Sequence, residues 1–231
     1  MKRPYYDYSG FSLRRLKEPR FSHLLWILGW VFYFSMYFIT ENLIPAEACH
    51  PIHCALDDRI PFNEYFAVFY VGWYLYVFGA LLYYLLHDAE SFRGLSKFIL
   101  ATQVIAMTCY ILYPSRQDLR PEVFERENLF TWIMGFIYSF DTSTGVCPSL
   151  HAAYSLGVVS TAWKDRLLPK GWKIGLTLFA LGVCAAVCFV KQHSALDVLW
   201  ALPVCLAAEL FAYGKSWWLP RLKRNKERKA P

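Results

Sequence analysis

The sequence predicts an all-α integral membrane protein: a six-helix bundle with an interfacial or re-entrant helix before the fourth span. Three observations lead there. Charged residues make up only 18% of the 231 residues and hydrophobic ones 56%, where a soluble domain carries about a quarter charged. The missing charge is absent from long apolar stretches and gathered between them. Those stretches are continuously apolar over several turns rather than alternating with period two. They therefore read as helices, which satisfy their own backbone in hydrocarbon, and not as barrel strands.

The bilayer core of ~30 Å needs about 20 apolar residues per helix, with ~17 as the lower limit. Six segments are read as spans: residues 24–40, 65–86, 95–113, 149–163, 172–190 and 194–213. The first has an apolar region longer than the ~7–15 residues of a secretory signal and reads as a retained anchor. The fourth is short. It either starts deep in the membrane or leans on the apolar run 129–140 before it, which is itself too short to span and reads as interfacial or re-entrant. No linker divides the chain, so residues 24–213 form one membrane domain between basic tails at 1–23 and 214–231.

Orientation follows from Lys and Arg. With the N-terminus in the cytoplasm and six alternating spans, the cytoplasmic segments hold 19 of the 24 basic residues, a strong positive-inside bias. Both tails are then cytoplasmic, and the long connections 41–64 and 114–148 face the extracytoplasmic or lumenal side. The two tails together carry +10 and the rest of the chain −4, which gives the net charge of +6. Basic tails beside spans are topology signals and contacts for anionic membrane lipids, which argues against nucleic acid as a partner. The seven cysteines mostly sit in or near spans. Cys49 and Cys54, in Cys-His-Pro-Ile-His-Cys, suit a local disulfide on an oxidising face. A metal site with His50 and His53 is the alternative, disfavoured by the poor tetrahedral geometry of one short loop.

Three polar clusters fall at the predicted outer face, where polar groups at membrane depth point to function. Cys147-Pro148-Ser149-Leu150-His151 opens the fourth span. Pro148 suits a first turn, Ser149 and the free amides make a helix N-terminus that attracts anions, and His151 lies in the same turn. A simple cap with a satisfied histidine is the plain alternative. Lys191-Gln192-His193-Ser194-Ala195-Leu196-Asp197 opens the sixth span. His193 and Asp197 are four apart and share a helix face, so the carboxylate orients the imidazole and leaves its other nitrogen free. A structural His–Asp bond between packed helices is the alternative. Arg116 and Arg120, just outside the third span, remain on a face nearly emptied of positive charge, and guanidinium matches phosphate oxygens. A surface ion pair with Asp118, Glu122 or Glu125 is the alternative, stronger for Arg116.

Together these residues outline a phosphoryl-transfer centre. His193, oriented by Asp197, attacks phosphorus, and His151 protonates the leaving oxygen and then activates the acceptor. Arg120, Lys191, Ser149 and, less directly, Arg116 neutralise the equatorial oxygens. No metal and no cofactor are required.

Pro-Ser-Leu-His at 148–151, His-x-x-x-Asp at 193–197 and Arg-Pro at 120–121 resemble the motifs of the type 2 phosphatidic acid phosphatase superfamily. The resemblance runs from about 113 to 203. It implies a six-span bundle with an outward site, His151 as acid, His193 with Asp197 as nucleophile and orienter, and Arg120 as the first motif's arginine. Tyr113 stands where that motif has lysine, and Val187 where the third motif has arginine. The Leu after Ser149 and the Lys-Gln-His order look more like the inositol phosphorylceramide synthase branch, which transfers a phosphoryl-alcohol group between lipids. The expectation is a metal-independent lipid phosphatase or phosphotransferase whose partner is a lipid phosphate. Two rivals remain: a zinc hydrolase using His151, His193 and Asp197, and a non-catalytic transporter or scaffold.

Overall fold

The computed structural model describes residues 4–227. The chain is mostly helical: α1 (Gly29–Leu43), α2 (Ala67–His87), α3 (Ala89–Leu112), α4 (Leu129–Phe140), α5 (Leu150–Lys164), α6 (Lys170–Phe189), α7 (Ala195–Tyr213) and α8 (Leu219–Glu227). Two-residue strands, β1 (His50–Pro51) and β2 (Ser115–Arg116), pair in parallel.

Among the described residues four helices are long and apolar enough to cross a membrane: Glu64–His87, Ala89–Leu112, Lys170–Phe189 and Ala195–Asn225. They correspond to four of the six expected spans. The other two fall short. The first is a 3-10 stretch, Ser22–Leu28, leading into α1. The fourth, α5, has 15 residues, only about 22 Å of helix. The reason is visible in its packing. α5 carries Ala152, Ala153, Ser155, Gly157, Val158 and Ala162, all buried, against α2, α3, α6 and α7. A helix enclosed by its neighbours gains its burial from protein and small side chains, not from a long lipid-facing run. At Gly157 an added Cβ would sit 2.6 Å from the Phe98 ring, so the close approach of α5 to α3 needs glycine there.

Boundaries differ elsewhere. α3 begins at Ala89, six residues before the expected 95, because Asp88 caps it by accepting from the Glu90 and Ser91 amides. α7 continues through a π-turn (Gly214–Trp218) into α8. The expected short helix at 129–140 is present as α4, opened by an Asn128–Thr131 capping box. The N-terminal segment expected as a tail is docked in the residues described. Phe21 and His23 are fully buried, and the Tyr8 hydroxyl donates to Leu85 O and meets His23 Nε2 at 2.9 Å.

Chain direction alternates through the bundle, so the connections fall into two sets. One end gathers 44–66, 113–128, 141–149 and 190–194; the other gathers the N-terminal segment, 88, 165–169 and 214–227. At the first end the loops are tied together. His50 N donates to Pro114 O and Ile52 N to Arg116 O, while Gly145 N donates to Ser115 O at 2.8 Å. Gly145 is at φ +61°, a left-handed conformation that favours glycine.

Candidate active site

The site is built where the N-termini of α5 and α7 stand side by side. Ser149 caps α5, its Oγ accepting from Ala152 N, and its own N–H donates to Asp197 O at 2.9 Å. That backbone bond joins the two histidine segments, which are 42 residues apart in sequence. Ser194 caps α7 in a reciprocal box with Asp197. Asp197 Oδ2 accepts both the Ser194 N–H (3.0 Å) and a proton on His193 Nδ1 (3.1 Å), and its side chain is fully buried. The carboxylate therefore fixes the His193 ring with Nδ1 turned inward and Nε2 outward.

His151 lies one residue into α5. Its ring centroid is 5.6 Å from that of His193, edge to face, with Tyr70 (4.7 Å) and Trp73 (4.3 Å) packed on it. Its Nε2 is buried and has no hydrogen-bond partner among the described residues, which makes it available to an incoming group. The amides of Leu150 and His151 open the same first turn, where a helix supplies no acceptors. Both histidines border a cavity of about 370 Å³. α1 contributes Tyr33, Phe34 and Tyr37 to its wall and α2 contributes Tyr70, Trp73 and Tyr74. The cavity thus separates α1, which packs on α3, from α2.

The structure brings His151, His193, Asp197 and Ser149 together. It places the cations differently from the expectation. Lys191, at φ +54°, has a buried ammonium that donates to Asp57 O at 3.0 Å and to Ile60 O, away from the cavity. Its charge staples the 44–66 loop, so an anion-binding role for Lys191 has no support in its placement. Arg116 bonds Asp118 and Ala46 O, also outside the cavity, matching the plain surface reading. Arg120 stands between. Its fork donates to Asp141 O (2.9 Å), Thr142 O (2.8 Å) and Gln192 Oε1 (2.5 Å), and it lies over the Tyr138 ring. Its Nε is buried without a partner among the described residues. Arg120 holds the 141–142 loop and Gln192 beside the histidines.

Three residues of the site were not singled out from the sequence. Gln192 Nε2 donates to Asp141 Oδ2 at 3.1 Å, and the Tyr70 hydroxyl donates to the same oxygen at 3.2 Å. Burial pushes the Asp141 carboxyl above its ordinary range, against the opposing pull of Arg120 and the Tyr70 hydroxyl. Asp57, in the 44–66 loop, accepts from Ser194 Oγ (2.6 Å), Ala195 N (2.8 Å) and Cys54 N (2.8 Å). Burial raises its pKa, but those hydrogen bonds outweigh it and leave it lowered. Gln192 had a signal, its place between Lys191 and His193. Asp57 and Asp141 had none, since acids in polar loops are ordinary.

Cys147 precedes the Pro-Ser-Leu-His motif, but burial first, then the charge of Asp197, pushes its thiol up to about 12. It stays protonated and a poor nucleophile. Cys49 and Cys54 are both free thiols; Asp57 and Lys191 fasten the loop in place of the expected bridge. No group of three metal-ligating side chains occurs among the described residues.

Compared with known proteins, the chain matches no family model, no curated protein and no solved structure.

Proposed function

We propose that this protein is a membrane-embedded, metal-independent phosphoryl-transfer enzyme acting on a lipid phosphate or phosphodiester through a phosphohistidine. One observation carries the reading: two imidazoles 5.6 Å apart at the mouth of one cavity, one of them backed by a buried carboxylate.

The chemistry follows from the geometry. His193 carries its proton on Nδ1, bonded to Asp197, so the Nε2 lone pair attacks phosphorus and the new imidazolium is stabilised by the carboxylate. His151 Nε2 protonates the departing alkoxide, then removes the proton of the incoming water or alcohol. The open amides at the start of α5 face the charge that develops on the phosphoryl oxygens. In this reading Arg120 acts by holding Gln192 and the 141–142 loop in place.

The membrane arrangement is the six-span bundle with α4 at the interface, both tails cytoplasmic, and the site on the extracytoplasmic or lumenal face. α1 with its 3-10 lead-in and the enclosed α5 complete the count of six. The aromatic gap between α1 and α2 then admits a lipid from the side, its tail in hydrocarbon and its phosphate at the histidines. Support for the orientation comes from the distribution of Lys and Arg.

The experiment is turnover by purified protein in nanodiscs, offered phosphatidate, lipid phosphodiesters and polyprenyl diphosphates, with and without inositol. Phosphate release marks a hydrolase; a new phosphodiester marks a phosphotransferase of the inositol phosphorylceramide synthase type. His193→Ala is expected to lower turnover roughly ten-thousand-fold and to remove an acid-labile, base-stable phosphoenzyme. Wild-type turnover in that variant would sink the assignment.

A further inference from the structure

The other end of the bundle holds a second cavity, of about 580 Å³, between the start of α3, the end of α5 and the junction of α7 with α8. Its wall carries Arg93, Lys97, Lys164, Arg166, Arg221 and Arg224. Most of the acids around it are already engaged. Asp88 caps α3, Asp165 accepts from the Leu167 and Leu168 amides, and Glu209 pairs with Lys164 at 2.6 Å. Glu90 stands exposed at the rim. Arg166, Arg221 and Arg224 make no ion pair among the described residues. Three guanidinium groups thus border one cavity with no carboxylate assigned to them.

α8 shows what these groups are placed against. Leu219 and Leu222 are exposed at 50% and 56% and lie on one side of the helix. Arg221 and Arg224 lie on the opposite side, toward the cavity, with Arg221 stacked on Trp217. A short basic helix with exposed leucines, at the end of a helix long enough to cross the bilayer, rests in the head-group layer. A soluble anion would use only the charge. A lipid adds to the charge its anchorage in the bilayer that the preceding helix is long enough to cross.

We propose that this cavity is a binding site for the phosphate-bearing head group of an anionic lipid in the leaflet at that end. Arg166, Arg221 and Arg224 bind the phosphate oxygens, whose geometry the guanidinium fork matches. The lipid's tails enter the hydrocarbon on the cavity side of α8, and the leucines seat that helix at phosphate depth. Anionic lipid at the cytoplasmic surface supplies the matching charge. The site needs α3 and α7 to cross the bilayer, and it stands whether or not the distant histidines transfer phosphate.

The test uses the full chain with His193→Ala, so that turnover consumes no lipid. Protein in phosphatidylcholine nanodiscs, with or without a phosphatidylinositol phosphate, is released and its retained lipids are counted by native mass spectrometry. The triple variant R166Q/R221Q/R224Q is expected to weaken anionic-lipid retention at least about tenfold. K215Q/K223Q, on exposed positions outside the cavity, is expected to change it less than about twofold. Equal losses in the two variants would mean diffuse attraction and overturn the site. So would equal retention of phosphatidylcholine. If the triple variant does not fold, competition on the parent protein decides. Displacement by inorganic phosphate or a soluble inositol phosphate at concentrations matched to the lipid overturns the lipid assignment. Retention that withstands both supports it.

Discussion

The two ends of the bundle treat charge in opposite ways. At the histidine end, Lys191, Arg120 and Asp57 are each consumed by the protein, bonding backbone carbonyls, amides or one glutamine. At the other end, only the Lys164–Glu209 pair is shielded, at 13% and 14% exposure, while three arginines have no acidic partner among the described residues. The first pattern suits a site whose reacting groups must not move, since misplacement costs rate. The second leaves charge for something outside the chain. The contrast also explains why counting cations near a motif misjudges a candidate anion site: a buried ammonium must first satisfy its own donors, and here backbone carbonyls do so.

The comparison can be broken by removing parts from either end. His151→Ala, at the histidine end, is expected to slow poor leaving groups by about 10²–10⁴ and good ones least, because these need less protonation. A series of aryl phosphates of graded acidity measures it, and a uniform loss would deny His151 the acid role. Asp57→Ala leaves the Ser194 hydroxyl and Ala195 amide unpaired at the cap of α7. It is expected to cost about 2–4 kcal/mol of stability and to reduce activity by displacing His193. The sign of its pH dependence is fixed by the lowered Asp57 pKa. The stabilisation is full above the unfolded value, near 3.8, and fades as pH falls through the folded one. Thermal melting of Asp57→Asn and parent should therefore converge in acid; a constant gap would count against the cap.

At the other end, Glu209→Ala strands Lys164 and is expected to cost about 1–3 kcal/mol while leaving turnover per folded molecule unchanged. A matching loss of turnover would show the two ends to be coupled. The smallest effect is expected of Gln192→Ala, which removes the side-chain bridge from Arg120 to the Asp141 carboxylate and leaves Arg120 bonded to Asp141 O and Thr142 O. Turnover should fall about tenfold, roughly 1.4 kcal/mol, with little change in melting temperature. If Arg120 instead turns to grip substrate directly, the same variant will bind phosphate more tightly.

Much of this molecule is legible in one dimension. Apolar length marks the four long helices, and the alternation of basic loops orders the two ends. The spacing of His193 and Asp197 on one turn foretells their bond, because helical geometry is local. α5 was harder to read. Its small residues lower the apolar signal for the very reason that it is enclosed, and enclosure is a property of the neighbours. Asp57 and Asp141 show the same limit, as polar loop residues whose meaning comes from partners 137 and 51 positions away.

By itself, then, the sequence determined the four long helices, the gathering of basic residues in alternate connections and the pairing of His193 with Asp197, since each rests on local periodicity or on composition. Only the tertiary structure decided that Lys191 and Arg116 serve the loops, that Arg120 grips Gln192, and that a cavity parts α1 from α2. Those outcomes depend on which donors find which acceptors across distant segments, and burial leaves each group bound to the nearest satisfying partner it meets.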